Sequence, residues 1–162
     1  MRFVRHAAAA ALLLSLASVA QAQKAEPAAP SLRAVNPAAL PKPNGYSHTI
    51  EAPVGRTLYI SGQLPLDKNG NLVGEGDFGA QAEQVFANLK TALEASGAGF
   101  KDVVKLNMFV TDMSQLKALR EARDKYIDLK NPPASTLVEV KRFVKDGAMV
   151  EIDAIAVVPA SR

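Results

Sequence analysis

The chain has 162 residues, no cysteine, 22% charged residues and a formal charge of +3 at pH 7. The missing cysteines exclude disulfides and thiolate metal sites. The basic residues form no dense patch or aromatic platform of the kind that binds nucleic acid, so a small-molecule protein is favoured over a nucleic-acid partner.

The first 22 residues have the three-part pattern of a secretory signal peptide. A basic opening with Arg2 and Arg5 precedes an apolar run over residues 7–19, and Ala20-Gln21-Ala22 follows as a cleavage site. The run is shorter than the roughly 20 residues that span a bilayer, and it lacks the polar face of an amphipathic helix. We expect a periplasmic or secreted protein without membrane attachment. Cleavage after Ala22 would remove Arg2 and Arg5, so that 17 of the 19 basic residues remain against 16 acidic ones.

Residues 23–43 are rich in alanine and proline and show little apolar periodicity, which predicts a flexible tether. The folded domain is expected over residues 44–160. Its first strands are predicted at residues 46–51 and 57–61, where β-branched and aromatic residues are frequent. Asn69-Gly70 then predicts a hairpin turn.

Apolar residues at helical spacing predict a helix over residues 80–96, with Gly97 ending it. The stripe consists of Ala82, Val85, Phe86, Leu89 and Leu93. A strand is predicted over residues 103–110, and the apolar side chains expected on one face are Val104, Leu106, Met108 and Val110. A second helix is expected after Asp112, which can cap its first turn. Its apolar stripe consists of Leu116, Leu119, Tyr126, Ile127 and the aliphatic stem of Arg123.

Two further strands close the chain, at residues 133–140 and 149–158, and we interpret them as adjacent strands with a turn at Asp146-Gly147. The element order ββ(β)αβαββ predicts an α+β fold with two helices on one face of a mixed or antiparallel sheet. The other face of that sheet needs cover, and packing against copies of the same chain would provide it.

Glu151 lies in the middle of an otherwise apolar last strand. Every second residue around it is apolar, so Glu151 and Asp153 point to the opposite face. An unpaired carboxylate is costly to bury. Either that face is solvated, as is common for sheets with one wet face, or Glu151 has a chemical task.

Other motifs carry little weight. Residues 74–79 match G-x-G-x-x-G, but Glu75 and Asp77 would repel a phosphate and no repeated βαβ pattern surrounds them. With His48 as the one histidine after residue 22, neither a His/Cys metal site nor a Ser-His-Asp triad is expected.

Several anchors, taken together and in this order, resemble the RidA (YjgF) family of small reactive-intermediate deaminases. They are Ser61-Gly62-Gln63-Leu64-Pro65, the helix at residues 81–97, residues 102–105 with 109–112, Val138-Glu139-Val140, and Glu151-Ile152-Asp153-Ala154-Ile155-Ala156. The resemblance implies a homotrimer of the chorismate-mutase-like fold with ligand clefts between subunits. It also implies hydrolysis of imines or enamines to a carbonyl compound and ammonia, without a cofactor or a metal.

The resemblance assigns Glu151 to the placement of the attacking water. It also implies that Tyr46 walls the pocket and that Ser61 and Gly62 contact the ligand. All of these are present.

Three positions depart from the family pattern. Ser135 stands where the family has the arginine that binds the substrate carboxylate, and Leu137 stands where it usually has a cysteine. Arg120 falls where relatives often carry an asparagine. We hypothesise that Arg120 reaches into the cleft and compensates for the lost arginine; the alternative is a solvated arginine on a basic helix face.

Two functions remain open. One is an exported hydrolase or deaminase of imines and enamines that relies on Glu151. The other is a non-catalytic binding protein for a small carbonyl or carboxylate ligand, or a periplasmic holdase. The ribonuclease activity attached to some relatives is disfavoured by the near-neutral charge and the export signal.

Overall fold

Four strands form the central sheet of residues 31–160, the part of the chain that the computed structural model describes. The elements are, in chain order, β1 (Arg33–Val35), β2 (Thr49–Glu51), β3 (Gly55–Gln63), α1 (Phe78–Ala95), β4 (Val103–Val110), α2 (Leu116–Arg123), β5 (Ala134–Glu139) and β6 (Val150–Pro159). The strand order in the sheet is β3-β6-β4-β5, and β1 and β2 form a separate pair. This arrangement confirms the predicted α+β fold with a mixed sheet and two helices.

The prediction that the last two strands are adjacent is wrong, because β4 lies between them. Met108 of β4 pairs with Leu137 of β5 on one side, in parallel, and with Ile152 of β6 on the other, antiparallel. The alternate residues Leu106, Met108 and Val110 are all buried, which suits a central strand. The long connection between β5 and β6 gives the chain the length to pass β4, and the predicted turn at Gly147 lies within it at φ +80°.

Helix α1 contributes more residues to the hydrophobic core than any other element. Its predicted stripe is fully buried and packs against the apolar face of β6 and β3 (Ala82, Val85, Phe86, Leu89 and Leu93). The helix begins two residues earlier than predicted because the Asp77 carboxylate caps it, accepting a hydrogen bond from the Ala80 N–H at 3.0 Å. Gly97, at φ +69°, ends it by donating to Glu94 O at 3.0 Å.

Helix α2 is short and follows a 3₁₀ turn at Met113–Gln115. The Asp112 carboxylate accepts hydrogen bonds from the Ser114 hydroxyl at 2.7 Å and the Ser114 N–H at 2.8 Å, and these bonds lower the pKa of Asp112. Leu119 and Ala122 are buried as an apolar stripe requires. Arg123 is buried as a whole, with a side chain 8% exposed, whereas only its stem was predicted to pack.

The ordered fold starts before residue 44. Strand β1 lies inside the segment predicted as a tether, and it pairs with β2 so that Ala34 faces Ile50. The Arg33 guanidinium also binds the Glu51 carboxylate. The pairing with β2 thus holds residues 33–35 in a short strand within the predicted tether. Residues 23–30 and the predicted signal peptide lie outside the described residues. None of the helices in the described part is long and apolar enough to cross a bilayer.

Candidate active site

The predicted site residues fall on opposite faces of the sheet. Ser135 pairs with Leu106, and both Leu137 and Ile152 pair with Met108, so these side chains share the face covered by the helices. Glu151 pairs with Phe109 and points to the other face, which we call the open face. Within one chain the sheet therefore separates Glu151 from Ser135 and Leu137.

A cavity of about 250 Å³ lies between α2 and the β4–β5 edge on the helix-covered face. It brings together Tyr46, Arg120, Ser135 and Leu137, four of the seven predicted site residues. Its remaining wall is formed by Asn44, Gly45, Met108, Leu116, Leu119 and Arg123. Among the described residues two arginines and no carboxylate line it, so the cavity favours an anionic or strongly polar group.

Arg123 was missed as a site residue because its position in the apolar stripe favoured a packed stem. Its Nε donates to Asp124 Oδ1 at 2.8 Å, and its Nη2 lies 2.7 Å from the same oxygen. Gly45 explains how the guanidinium fits: a Cβ built there would lie 2.6 Å from Nη2. Gly45 also has φ +76°, a conformation that favours glycine. The sequence signal that could have identified Arg123 is a charged residue at a helix position where the apolar spacing predicts burial.

Arg120 lines the same cavity but is only half-buried. Among residues 31–160 it makes no hydrogen bond or salt bridge to a side chain. Ser135 is also half-buried, and its hydroxyl makes one long contact, at 3.4 Å, to Pro133 O. Ser135 thus leaves space in the cavity rather than filling it.

The remaining three predicted residues gather on the open face. A Cβ built on Gly62 would lie 1.9 Å from Glu151 Oε1, so the carboxylate rests directly against the Gly62 backbone. The pairing of β3 with β6 is irregular between Ile60 and Gln63, which places Ser61 and Gly62 at a bulge. Within residues 31–160 no hydrogen bond reaches the Glu151 carboxylate, so both of its oxygens are available to a water or ligand.

The open face carries large apolar side chains beside satisfied polar pairs. Tyr59 on β3 is 79% exposed and Val138 on β5 is 39% exposed. Between them, Asn107 Nδ2 donates to Asp153 Oδ1 at 2.8 Å. Such a surface, with its polar groups already paired, is suited to packing against another protein surface.

The described residues contain no group of three or more histidine, aspartate or glutamate side chains positioned to hold a metal ion. Among the described residues, the groups whose pKa departs clearly from the usual value line neither the cavity nor the contact between Glu151 and Gly62. For example, the hydrogen bond from the Asn71 side chain is the main cause that lowers the pKa of Asp67, in the turn after β3.

The family model described as Endoribonuclease L-PSP matches residues 34–158 of the chain. Protein DfrA of Myxococcus xanthus is 39% identical over 126 residues, which are 77% of this chain and 95% of that protein. The 2-iminobutanoate/2-iminopropanoate deaminase of Dermatophagoides farinae is 36% identical over 119 residues, which are 73% of this chain and 90% of that protein.

Solved structures agree with these matches. The Rid family protein YyfB of Yersinia pestis superposes with a TM-score of 0.72 at 34% identity, covering 79% of this chain and 99% of its own. RidA of an Antarctic Psychrobacter species gives a TM-score of 0.59 at 39% identity, covering 71% of this chain and 89% of its own. The matched residues and the shared fold show that the chain belongs to the RidA (YjgF) family, whose family model is described as Endoribonuclease L-PSP.

Proposed function

We propose that the protein hydrolyses small imines or enamines to a carbonyl compound and ammonia, in a site formed where two copies of the chain meet. The observation that carries this proposal is the placement of Glu151 and the arginine-lined cavity on opposite faces of one sheet. A second copy packed on the open face can bring its own cavity to Glu151, whereas no movement within the chain can.

The chemistry needs little beyond positioning. An imine carbon is already electrophilic, so a water held near it can add once a base removes the proton of that water. Glu151 supplies such a base, since its carboxylate is half-buried and its oxygens are free of partners within residues 31–160. The hydroxyl adds to the carbon, the nitrogen takes up protons, and the C–N bond breaks to release ammonia and leave a C=O group.

Gly62 fits this role for Glu151. Because it has no side chain, the carboxylate lies against the backbone and leaves space above it. Ser61, which is exposed at the same bulge, offers a hydroxyl to the substrate or water. Tyr46, with its ring in the cavity of the other copy, completes the wall around the substrate.

The oligomer we propose is a homotrimer. The exposed Tyr59 and Val138 on the open face support self-association, because large apolar side chains next to a paired polar network are suited to contact with another protein surface. The number of three copies rests on the family resemblance. We also propose that the protein acts in the periplasm or outside the cell, on the sequence pattern of residues 1–22. The name of the Dermatophagoides farinae relative supports imino acids as the substrate class.

The test is the release of ammonia from imines generated in place by an amino acid oxidase. The purified protein is compared with Glu151→Gln and with Asp153→Asn, a matched control on the same strand and face. We expect Glu151→Gln to lower turnover by roughly 10²- to 10⁴-fold, the range for a general base, and Asp153→Asn to change it by a few-fold at most. Wild-type protein that gives no acceleration, while folded and oligomeric, would instead favour a binding protein or holdase.

A further inference from the structure

We propose that Arg123, on α2, binds the carboxylate of the substrate and so makes the site selective for 2-imino acids over uncharged imines. This inference rests on the proposed function for the reaction itself, but the contacts that carry it belong to Arg123 alone. It places the anion-binding cation on a helix, at a position that the sequence marked only for packing.

The burial of Arg123 is the first step. Its side chain is 8% exposed, yet its partner Asp124 is 36% exposed and lies at the surface. A buried guanidinium is costly unless its donors are satisfied. Five N–H groups are available, and the two contacts to Asp124, from Nε and Nη2, both use the single oxygen Oδ1. Nη1 makes no hydrogen bond to any residue between 31 and 160, and because no fully buried side-chain nitrogen in this range lacks a partner, Nη1 is accessible to solvent or a ligand.

The shape of the cavity is the second step. Gly45 brings the backbone up against the guanidinium, with Nη2 and Nη1 lying 2.6 and 3.1 Å from the place of a Cβ. Because Gly45 has no side chain, the Arg123 guanidinium fits at the cavity wall. A planar guanidinium held in this way is preorganised for a carboxylate, which it can bind through two parallel hydrogen bonds.

Ser135 is the third step. It lines the same cavity of about 250 Å³ as Arg123, with a small side chain. A second guanidinium from position 135 would share this limited space with Arg123 and repel it. A serine at position 135 therefore leaves space for the Arg123 guanidinium, which enters the cavity from α2.

Arg120 is the competing candidate. It lines the cavity as well, but it is half-buried, and within the described part of the chain no glycine or acid holds its head group in place. A flexible, solvated arginine loses conformational entropy on binding and its charge is screened by water. We therefore assign the main contact to Arg123 and a minor, long-range contribution to Arg120.

The experiment measures binding of two probes by calorimetry, 2-oxobutanoate and its uncharged methyl ester, to the purified full-length protein. Arg123→Gln is expected to weaken 2-oxobutanoate roughly ten- to hundredfold, the loss typical of a charge-assisted contact. The affinity for the ester should stay within about twofold, because no charge is recognised there. Arg120→Gln, the matched control, should weaken 2-oxobutanoate by about threefold at most.

Arg123→Lys guards against a folding defect in Arg123→Gln. Lysine keeps the charge but not the two-pronged geometry, so the affinity for 2-oxobutanoate should fall by an intermediate factor while circular dichroism stays unchanged. The inference is overturned if the Arg123 variants bind the acid as well as wild type does, if acid and ester weaken equally, if Arg120→Gln has the larger effect, or if wild type does not prefer the acid.

Glu151→Gln separates this inference from the proposed function. It should lower turnover by roughly 10²- to 10⁴-fold and leave 2-oxobutanoate affinity within about twofold of wild type, because the charge of Glu151 is not part of the anion contact. If wild type binds 2-oxobutanoate through Arg123 but releases no ammonia, the proposed reaction fails and the inference stands. If it releases ammonia and Arg123→Gln leaves the KM for acidic substrates unchanged, the inference fails and the reaction stands.

Discussion

The two faces of the central sheet carry opposite halves of the chemistry. The helix-covered face holds a cavity lined by two arginines, Arg120 and Arg123. The open face holds Glu151 against Gly62, beside exposed apolar side chains. The sheet keeps the base and the cations of one chain apart, so that Glu151 is not neutralised by an arginine of its own subunit. A site that uses both must be assembled from two copies.

Among the glycine substitutions, Gly62→Ala, which is confined to the open face, is expected to have the largest effect on turnover. In Gly62→Ala the new Cβ would overlap Glu151 Oε1, at 1.9 Å, so the carboxylate must swing away. We expect turnover to fall roughly tenfold to hundredfold, since a displacement of about 1 Å at a catalytic group can cost that much. The affinity for 2-oxobutanoate should not change. Steady-state kinetics and calorimetry measure the two effects.

Gly99→Ala is the control for this change, because a Cβ at Gly99 meets nothing within 4 Å. It should keep wild-type turnover. Equal losses in the two variants would show that Gly62 matters for folding rather than for the position of Glu151.

Gly45→Ala is the corresponding change on the helix-covered face, and its expected effect on ligand affinity is smaller than that of Gly62→Ala on turnover. Gly45→Ala places a Cβ 2.6 Å from Arg123 Nη2, in a backbone at φ +76°. We expect the free energy of unfolding to fall by roughly 1–3 kcal/mol, together with a severalfold loss of 2-oxobutanoate affinity as the guanidinium moves. Urea titration and calorimetry provide the measurements.

Gly70→Ala shares the backbone cost but not the collision, since Gly70 has φ +82° and open space around its Cβ position. It should be destabilised without any loss of anion affinity. If Gly45→Ala bound 2-oxobutanoate as well as Gly70→Ala does, the packing of Arg123 against Gly45 would have no part in recognition.

Asp124→Asn is expected to have the smallest effect on affinity, and it should raise the affinity for 2-oxobutanoate rather than lower it. Asp124→Asn keeps an oxygen that can accept from Arg123 but removes the charge that competes with an anionic ligand. Affinity for 2-oxobutanoate should rise by about two- to fivefold, the range of a partly exposed ion pair. Glu121→Gln, an exposed acid on the same helix, should change it less. Weaker binding by Asp124→Asn would mean that the carboxylate charge is needed to hold Arg123.

Local features of the sequence were enough to predict most of the fold. The strand at residues 103–110 matched β4 to the residue, and the apolar stripe of α1 was buried as predicted. Within β4, however, Val103 is buried in place of the predicted Val104, because the pairing with β6 is irregular between Val103 and Lys105. Such irregularities depend on the partner strand and leave no local signal.

Strand order and the burial of Arg123 were not predictable in the same way. Whether β5 pairs with β6 or with β4 is decided by contacts between distant parts of the chain, and a turn at Gly147 fits both. Arg123 occupies a helix position where an arginine stem packs well, and its burial became visible only once Gly45 was placed against it. For Glu151, in contrast, strand alternation alone predicted its face of the sheet, whereas its role was implied by the family resemblance.

The most direct test of the shared site combines two variants that each disable one face. Glu151→Gln removes the base, and Ser135→Phe fills the cavity on the helix-covered face. The two chains are co-expressed with different affinity tags, and mixed oligomers are isolated by both tags in sequence. Each variant alone should be inactive. In a mixed trimer closed by head-to-tail contacts, about one site in three combines an intact Glu151 with an intact cavity, so about a third of wild-type ammonia release should return. Mixed oligomers as inactive as the single variants would contradict a site shared between copies.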